Sequence, residues 1–204
     1  MTAPIALTMV ALTAFGLSAA LCGGARAQIV TTEITGTVGA NASPAQDIDT
    51  LGLFGPAGRN LNGEKMDVTL KFDSSQLQEG GMAPGYSAWA GPSGSCAIKI
   101  GGVQAKPSID RSGGIDSSRV YLYSDYQGMW GLAQYAQSAT APNVCGVTVT
   151  STKHAFVPGV NLVEAFSYLP PKAERDMDSM YLDITVNGVR ETVSASVKSL
   201  TYGP

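Results

Sequence analysis

Short runs in which apolar and polar residues alternate recur along the chain. In residues 66–72 the apolar side chains are Met66, Val68, Leu70 and Phe72, and every intervening residue is polar or charged. A period of two is typical of a β-strand that buries one face and leaves the other to solvent. Similar runs occupy residues 30–38, 119–123, 147–150, 182–186 and 189–197. The pattern therefore predicts about seven to ten short strands.

Turn signals and the scarcity of helical patterns complete this prediction. Asn187-Gly188 separates two of the alternating runs, and this dipeptide favours a two-residue β-hairpin turn. Residues 132–137 predict a helix of roughly one or two turns, while residues 163–168 fit either a strand or a helix. We therefore predict an all-β fold: a single antiparallel β-sandwich, jelly-roll or Ig-like, with at most one short helix.

The first residues have the composition of an export signal. Residues 5–21 are almost entirely apolar, and Ala25-Arg26-Ala27 follows them as a small-x-small cleavage site. This order is typical of a secretory signal peptide, whereas a membrane anchor would not need the cleavage site. We predict a signal peptide over residues 1–27 and a single β-sandwich domain over residues 28–204. The domain would be periplasmic or extracellular, with no membrane span after signal removal.

Two cysteines remain after the predicted cleavage, Cys96 and Cys145. In an oxidising compartment such a pair usually forms a disulfide, so we predict a bond between them. Neither cysteine belongs to a C-x-x-C motif, and His154 is the single histidine. Because a structural zinc site needs four such ligands, the sequence predicts no metal site, and it predicts no cofactor.

The charge of the chain narrows the range of partners. The formal net charge is −3, and the 13 Lys and Arg residues are scattered without a basic run. Nucleic acids are bound through clustered basic residues, so we expect no nucleic-acid partner. The remaining candidates are a glycan or another protein of the cell envelope.

A glycine-rich stretch, 49-DTLGLFGPAGRNLNGEKMDVTLKFD-73, leads into one of the predicted strands. Its first half carries large apolar residues that would be costly to leave exposed to water. We predict that this loop folds back over one end of the sandwich and that Phe54 and Leu61 enter the core. We also expect Asp49 to accept backbone N–H groups of the turn, as aspartates in turns commonly do.

The same loop carries the spaced pattern D-x-x-G-x-F-G-x-x-G-x-x-L-x-G, which begins at Asp49 and follows Gly36-Thr37-Val38. Together these features resemble a signature of uncharacterised exported bacterial β-proteins, some of which carry a C-terminal PEP-CTERM sorting segment. The resemblance covers residues 34–73 and implies export, but it implies no particular chemistry. Residues 200–204 differ from the sorted members because they contain no apolar anchor and no basic tail.

Other polar residues define alternative sites. Asp47, Asp49 and Asp73 could form a ligand or calcium site, although no D-x-D-x-D-G motif is present. A Ser-His-Asp hydrolase would have to use His154 as its base, and residues 91–96 do not match G-x-S-x-G. Glycoside hydrolysis needs only two suitably placed carboxylates, so a hydrolase stays open as an alternative.

The stretch 121-YLYSDYQGMWGLAQY-135 holds four of the eight tyrosines and one of the two tryptophans. Alternation turns its first two tyrosines away from their apolar neighbours and therefore away from the core. Exposed aromatic rings suit stacking on sugars and other planar ligands. The candidate ligand-binding residues are Tyr121, Tyr123, Tyr126 and Trp130. In the alternative interpretation the rings only cover a sheet face, since tyrosine is a favoured strand residue.

The leading hypothesis for function is an exported, non-catalytic module of the cell envelope or extracellular space, with a glycan as candidate ligand. One alternative is a secreted polysaccharide or ester hydrolase. Another is a self-assembling surface protein that associates through exposed sheet edges. A concave pocket with converging acids would favour the hydrolase, and a flat aromatic strip would favour the binding module.

Overall fold

The computed structural model describes residues 28–39, 47–91, 94–105, 117–137, 144–171, 179–186 and 189–204. The predicted signal peptide over residues 1–27 and the predicted turn at Asn187-Gly188 lie outside these residues. Among the described residues, no helix is long and apolar enough to cross a membrane.

The described residues form fourteen β-strands and one 3₁₀ turn, Ser74–Gln76. The strands are β1 Ile29–Val38, β2 Ile48–Asp49, β3 Arg59–Asn60, β4 Lys65–Asp73, β5 Gln78–Ala83, β6 Tyr86–Gly91, β7 Ser95–Ile100, β8 Val103–Ala105, β9 Ser117–Tyr126, β10 Met129–Gln137, β11 Val144–Ser151, β12 Phe166–Tyr168, β13 Ser179–Val186 and β14 Val189–Gly203. The all-β prediction is therefore confirmed, and each run of alternating residues lies in a strand.

The predicted helix over residues 132–137 is wrong, because this segment belongs to β10. Its backbone pairs with β9 on one side and with β11 on the other. Leu132, Gln134 and Ala136 all point inward and are buried, which is a period of two. Strand pairing on both sides overrides the weak local preference for a helix in this segment. The ambiguous residues 163–168 contain the short strand β12, which pairs with β14.

Twelve of the strands belong to one antiparallel sheet, in the order β5-β6-β9-β10-β11-β13-β14-β1-β4-β7-β8, with β12 added beside β14. Neighbouring strands lie about 4.8 Å apart, so a flat sheet would hold β7 and β11 roughly 24 Å apart. Instead Cys96 on β7 and Cys145 on β11 have Cα atoms 6.2 Å apart. The sheet must therefore fold over itself into two facing layers, which is a sandwich-like arrangement.

Two contacts join the facing layers directly. The first is the Cys96–Cys145 disulfide, which confirms the predicted pairing. The bond closes a loop between residues 49 positions apart, and by the chain-entropy estimate this closure stabilises the fold by about 4 kcal/mol. The second is a buried hydrogen bond of 2.7 Å from the hydroxyl of Thr32 on β1 to the side-chain carbonyl of Gln134 on β10. The inward residues of both layers form one continuous hydrophobic core around these two contacts.

The glycine-rich loop closes one end of this core. Phe54 and Leu61 are both 0% exposed, so the prediction that they enter the core is confirmed. The Asp49 carboxylate accepts the backbone N–H groups of Leu53 and Phe54, each at 2.7 Å, as expected. The Arg59 guanidinium donates to the Phe54 carbonyl oxygen at 2.8 Å, so both backbone polar groups of Phe54 are hydrogen-bonded within the loop.

Replacing the plugging side chain should unfold the protein more easily. We expect Phe54→Ala to lower the free energy of unfolding by roughly 3–5 kcal/mol, because it leaves a cavity at the end of the core. Leu169→Ala is the matched control, since Leu169 is 70% exposed and should cost far less. Urea unfolding of both variants measures the difference. Equal midpoints for the two variants would show that Phe54 does not hold the loop in the core.

Candidate functional site

The three aspartates proposed as a calcium site are not brought together. Asp73 ends β4 and caps the 3₁₀ turn, accepting the Ser75 N–H at 3.0 Å. The glycine-rich loop meets the other end of β4, where Glu64 precedes the strand, and nine residues of strand span roughly 27 Å. Among the described residues, no group of three or more His, Cys, Asp or Glu could hold a metal ion. The combination of Asp47, Asp49 and Asp73 is therefore wrong.

A different acid, Glu191, lies beside the loop and is 3% exposed. One of its oxygens accepts the Leu51 N–H at 2.9 Å and the Thr50 hydroxyl at 3.1 Å. The other oxygen is buried without a hydrogen-bond partner. Burial raises the pKa of Glu191 above its ordinary value, and the nearby charge of Asp49 adds to this rise. The signal in the sequence was a glutamate at an inward position of an otherwise alternating strand.

The Glu191 carboxyl holds the glycine-rich loop against β14. Asp47, which precedes this loop, contacts β14 three residues further along, at Ser194. Asp47 is 0% exposed and accepts both the N–H and the hydroxyl of Ser194, at 3.3 and 3.2 Å. These carboxylates serve the backbone of the loop and of β14, so this region is architecture that holds the plug in place.

The outer face of the sheet carries the second candidate site. Tyr121 and Tyr123 point outward from β9, opposite the buried Val120 and Leu122, as alternation predicts. Both rings are partly exposed. Tyr126, at the end of the same strand, has its ring centroid 6.2 Å from that of Tyr123. Three of the four predicted residues are therefore neighbours on one face.

Two further tyrosines that the sequence analysis did not single out complete this group. The Tyr86 ring on β6 lies 6.4, 5.4 and 5.3 Å from the rings of Tyr121, Tyr123 and Tyr126. The Tyr135 ring on β10 lies 6.3 Å from that of Tyr121. We call these five residues the tyrosine face. They gather because β6, β9 and β10 are adjacent in the sheet, a pairing that no local pattern reveals.

Small residues beneath the rings let the tyrosines lie close to the sheet. A side-chain carbon at Gly146 would collide with the Tyr135 ring, and one at Gly131 would come within 3.2 Å of the Tyr123 ring. Ala133, on the same outer face, is only 4% exposed although it stands outside the hydrophobic core. One side of the rings therefore covers glycine and alanine backbone, and the hydroxyl of Tyr135 is fixed at 2.8 Å from that of Thr148.

The turn that positions Tyr126 has an unusual backbone. Asp125 and Gln127, the residues on either side of Tyr126, have φ angles of 58° and 53°. Non-glycine residues adopt this left-handed region infrequently, and such conformations often occur at functional sites. The turn is held against the β5–β6 hairpin by a hydrogen bond of 2.8 Å from the Ser124 N–H to the Gly85 carbonyl. This contact keeps Tyr126 next to Tyr86.

Trp130, the fourth predicted binding residue, does not belong to the tyrosine face. The pairing of β9 with β10 shifts register between Met129 and Gly131, and Trp130 stands at this irregularity. Its position two residues before Leu132 places it on the inner side, where it packs against the core. The structure therefore places Trp130 against the core and does not bring it together with the tyrosines.

The tyrosine face is uncharged at neutral pH. Burial raises the pKa of Tyr86, and the neighbouring Tyr121 and Tyr126 raise it further. Burial also raises the pKa of Tyr123, with Tyr86 as the next cause. The phenols of Tyr86 and Tyr123 therefore keep their protons at neutral pH and can both donate and accept hydrogen bonds. Among the side chains of β9 that the structure describes, the exposed charged ones are Arg119 and Asp125, which lie on either side of Tyr121 and Tyr123.

Two clefts elsewhere on the described surface have a different character. One of about 410 Å³ is lined by Glu79, Met82, Trp89, Val160, Asn161 and Leu162. The other, of about 400 Å³, has Glu33 and Lys71 among its lining residues. Each cleft has one acidic side chain among its described lining residues, whereas glycoside hydrolysis commonly uses two. His154 is half-buried, and its backbone N–H donates to the Ser151 hydroxyl at 2.9 Å.

Comparison with known proteins adds no name to these features. No protein-family model, no curated protein and no solved structure matches the chain. The resemblance of residues 34–73 to exported β-proteins therefore stays a prediction, and so does every functional role.

The buried Glu191 should make stability depend on pH. A carboxyl whose pKa is raised on folding stabilises the fold below its ordinary pKa, and this contribution is lost as pH rises through the higher folded value. We expect the wild type to lose stability as pH rises above about 4.5, the ordinary value. Glu191→Gln should lose less over the same range, and Glu33→Gln, on the exposed face of β1, is the control. Urea midpoints across pH measure this, and parallel profiles for wild type and Glu191→Gln would contradict it.

The contact between Tyr135 and Gly146 can be tested by a double-mutant cycle. Gly146→Ala should cost about 1–3 kcal/mol, because the added methyl group displaces the Tyr135 ring. In a Tyr135→Ala background the same change should cost little, since the ring is gone. The coupling free energy from thermal or urea unfolding is the readout. Additive effects would mean that the ring does not lie over Gly146 in solution.

Proposed function

We propose that this chain is an exported, non-catalytic module of the cell envelope or extracellular space that binds an uncharged glycan through the tyrosine face. The observation that carries the proposal is the contiguous group of five outward rings. Tyr86 lies at its centre, next to the rings of three other tyrosines of the group. Aromatic rings stack on the apolar face of a sugar, while phenol hydroxyls hydrogen-bond its hydroxyl groups.

The remaining features of the molecule are consistent with this role. An exported protein needs a fold that survives outside the cell, and the Cys96–Cys145 pair suits an oxidising compartment. The neutral face favours a neutral ligand, since a charged polymer would find no opposite charge between Arg119 and Asp125. In the part of the chain that the structure describes, hydrolysis and self-assembly have no comparable group of residues in their favour.

Binding can be measured by electrophoresis of the purified protein in native gels that contain neutral polysaccharides. We expect at least one of these polysaccharides to retard the protein. Tyr121→Ala should raise the dissociation constant about fivefold, because it removes one stacking contact between a ring and a sugar. Tyr121→Phe retains the ring and should keep most of the affinity.

Trp130→Phe is the matched control, because this residue lies on the inner side of the sheet. Its affinity should equal that of the wild type once folding has been verified by circular dichroism. If no neutral polysaccharide in a broad panel, soluble in native gels or insoluble in depletion assays, binds the wild type, the proposed function is wrong. It is also wrong if Tyr121→Ala binds as tightly as the wild type does.

A further inference from the structure

We infer that the tyrosine face binds the internal units of a single, soluble glycan chain, and neither a chain end nor the flat surface of a crystalline polysaccharide. This inference rests on the proposed function and specifies its ligand. It follows from three properties of the face: its openness, the tilt of its rings and the spacing of the rings.

The tyrosine face lies on the outer side of the sheet, opposite the core, and its side chains are partly exposed. Recognition of a chain end requires contacts that surround the terminal sugar, which is what an enclosed pocket provides. An open face leaves both directions free, so a long chain can cross it and continue on either side.

The rings are tilted relative to one another. The plane of Tyr86 makes angles of 26° with Tyr121, 38° with Tyr126 and 41° with Tyr123. The three angles mean that the rings carried by β6 and β9 do not share one plane. A crystalline surface is flat and would meet only part of such a group. A single chain can rotate about its glycosidic bonds and follow the tilt.

The spacing of the rings suits successive sugars. The Tyr86 ring centroid lies 6.4 Å from that of Tyr121 and 5.3 Å from that of Tyr126, and the Tyr135 centroid lies 6.3 Å from that of Tyr121. These separations are comparable to the length of one pyranose unit in an extended polysaccharide. Neighbouring rings can therefore meet successive sugars, and affinity should increase with chain length until the group of rings is covered.

The test compares one polymer in two physical states. Binding to soluble chains is measured in native gels that contain hydroxyethylcellulose, xylan, mannan or soluble β-1,3-glucan. Binding to solids is measured as depletion of the protein by microcrystalline cellulose or insoluble mannan. Oligosaccharides of one to six units from the polymer that binds are then measured by calorimetry. We expect binding to a soluble chain, little depletion by the solids, and affinity that increases from the monosaccharide to longer oligosaccharides, because several rings contact successive sugars.

Tyr86→Ala should weaken binding more than any other single change in the face, by roughly tenfold, because Tyr86 contacts three of the other rings. Tyr86→Phe should restore most of the affinity. If Tyr86→Ala does not fold, Tyr126→Ala replaces it, since Tyr126 stands at the exposed turn and should cost about fivefold.

The outcomes separate the inference from the function on which it rests. Depletion by the crystalline solids without binding to any soluble chain would overturn the inference and leave the proposed function standing. A monosaccharide or disaccharide that binds as tightly as the hexamer would overturn it in favour of chain-end recognition. Absence of binding to every probe would overturn both.

Discussion

The folding of one continuous sheet over itself is the constraint on which the rest of this structure depends. Cys96 and Cys145 come from strands five positions apart in the sheet, and they meet only because the two layers face each other. The hydrogen bond between Thr32 and Gln134 joins the layers at a second point. Since each strand alternates, fixing which residues face the core also fixes which residues face solvent. The tyrosine face is the outward counterpart of the core of β6, β9 and β10.

The sequence predicted those properties that repeat within a few residues. Alternation located β4, β9 and β14, and the apolar content of the glycine-rich loop placed Phe54 and Leu61 inside. Alternation also predicted that Tyr121 and Tyr123 point away from the core. It could not show that Tyr86 would join them, because that neighbour comes from the pairing of β6 with β9 and is separated by more than thirty residues of chain.

The strand structure of residues 132–137 and the position of Trp130 have a common physical origin. Residues 132–137 contain one strong strand former, Tyr135, among leucine, alanine and glutamine, so strand partners on both sides decide their structure more than local preference does. The irregular pairing at Trp130 likewise depends on β9, and in a strand a difference of one residue moves a side chain to the other face. Glu191 was missed for the same reason, since its role comes from a loop about 140 residues earlier in the chain.

The packing of the tyrosine face on the glycines beneath it serves the sheet and would also serve the proposed binding. A tyrosine ring has two faces, and the one turned toward Gly131 or Gly146 covers backbone that a glycine would otherwise leave to water. The contact fixes the ring without occupying its outer face, which stays available to a ligand. A ring ordered in advance loses less conformational entropy on binding. The contact with the sheet, which a purely structural role would also use, is therefore what would prepare these tyrosines to bind.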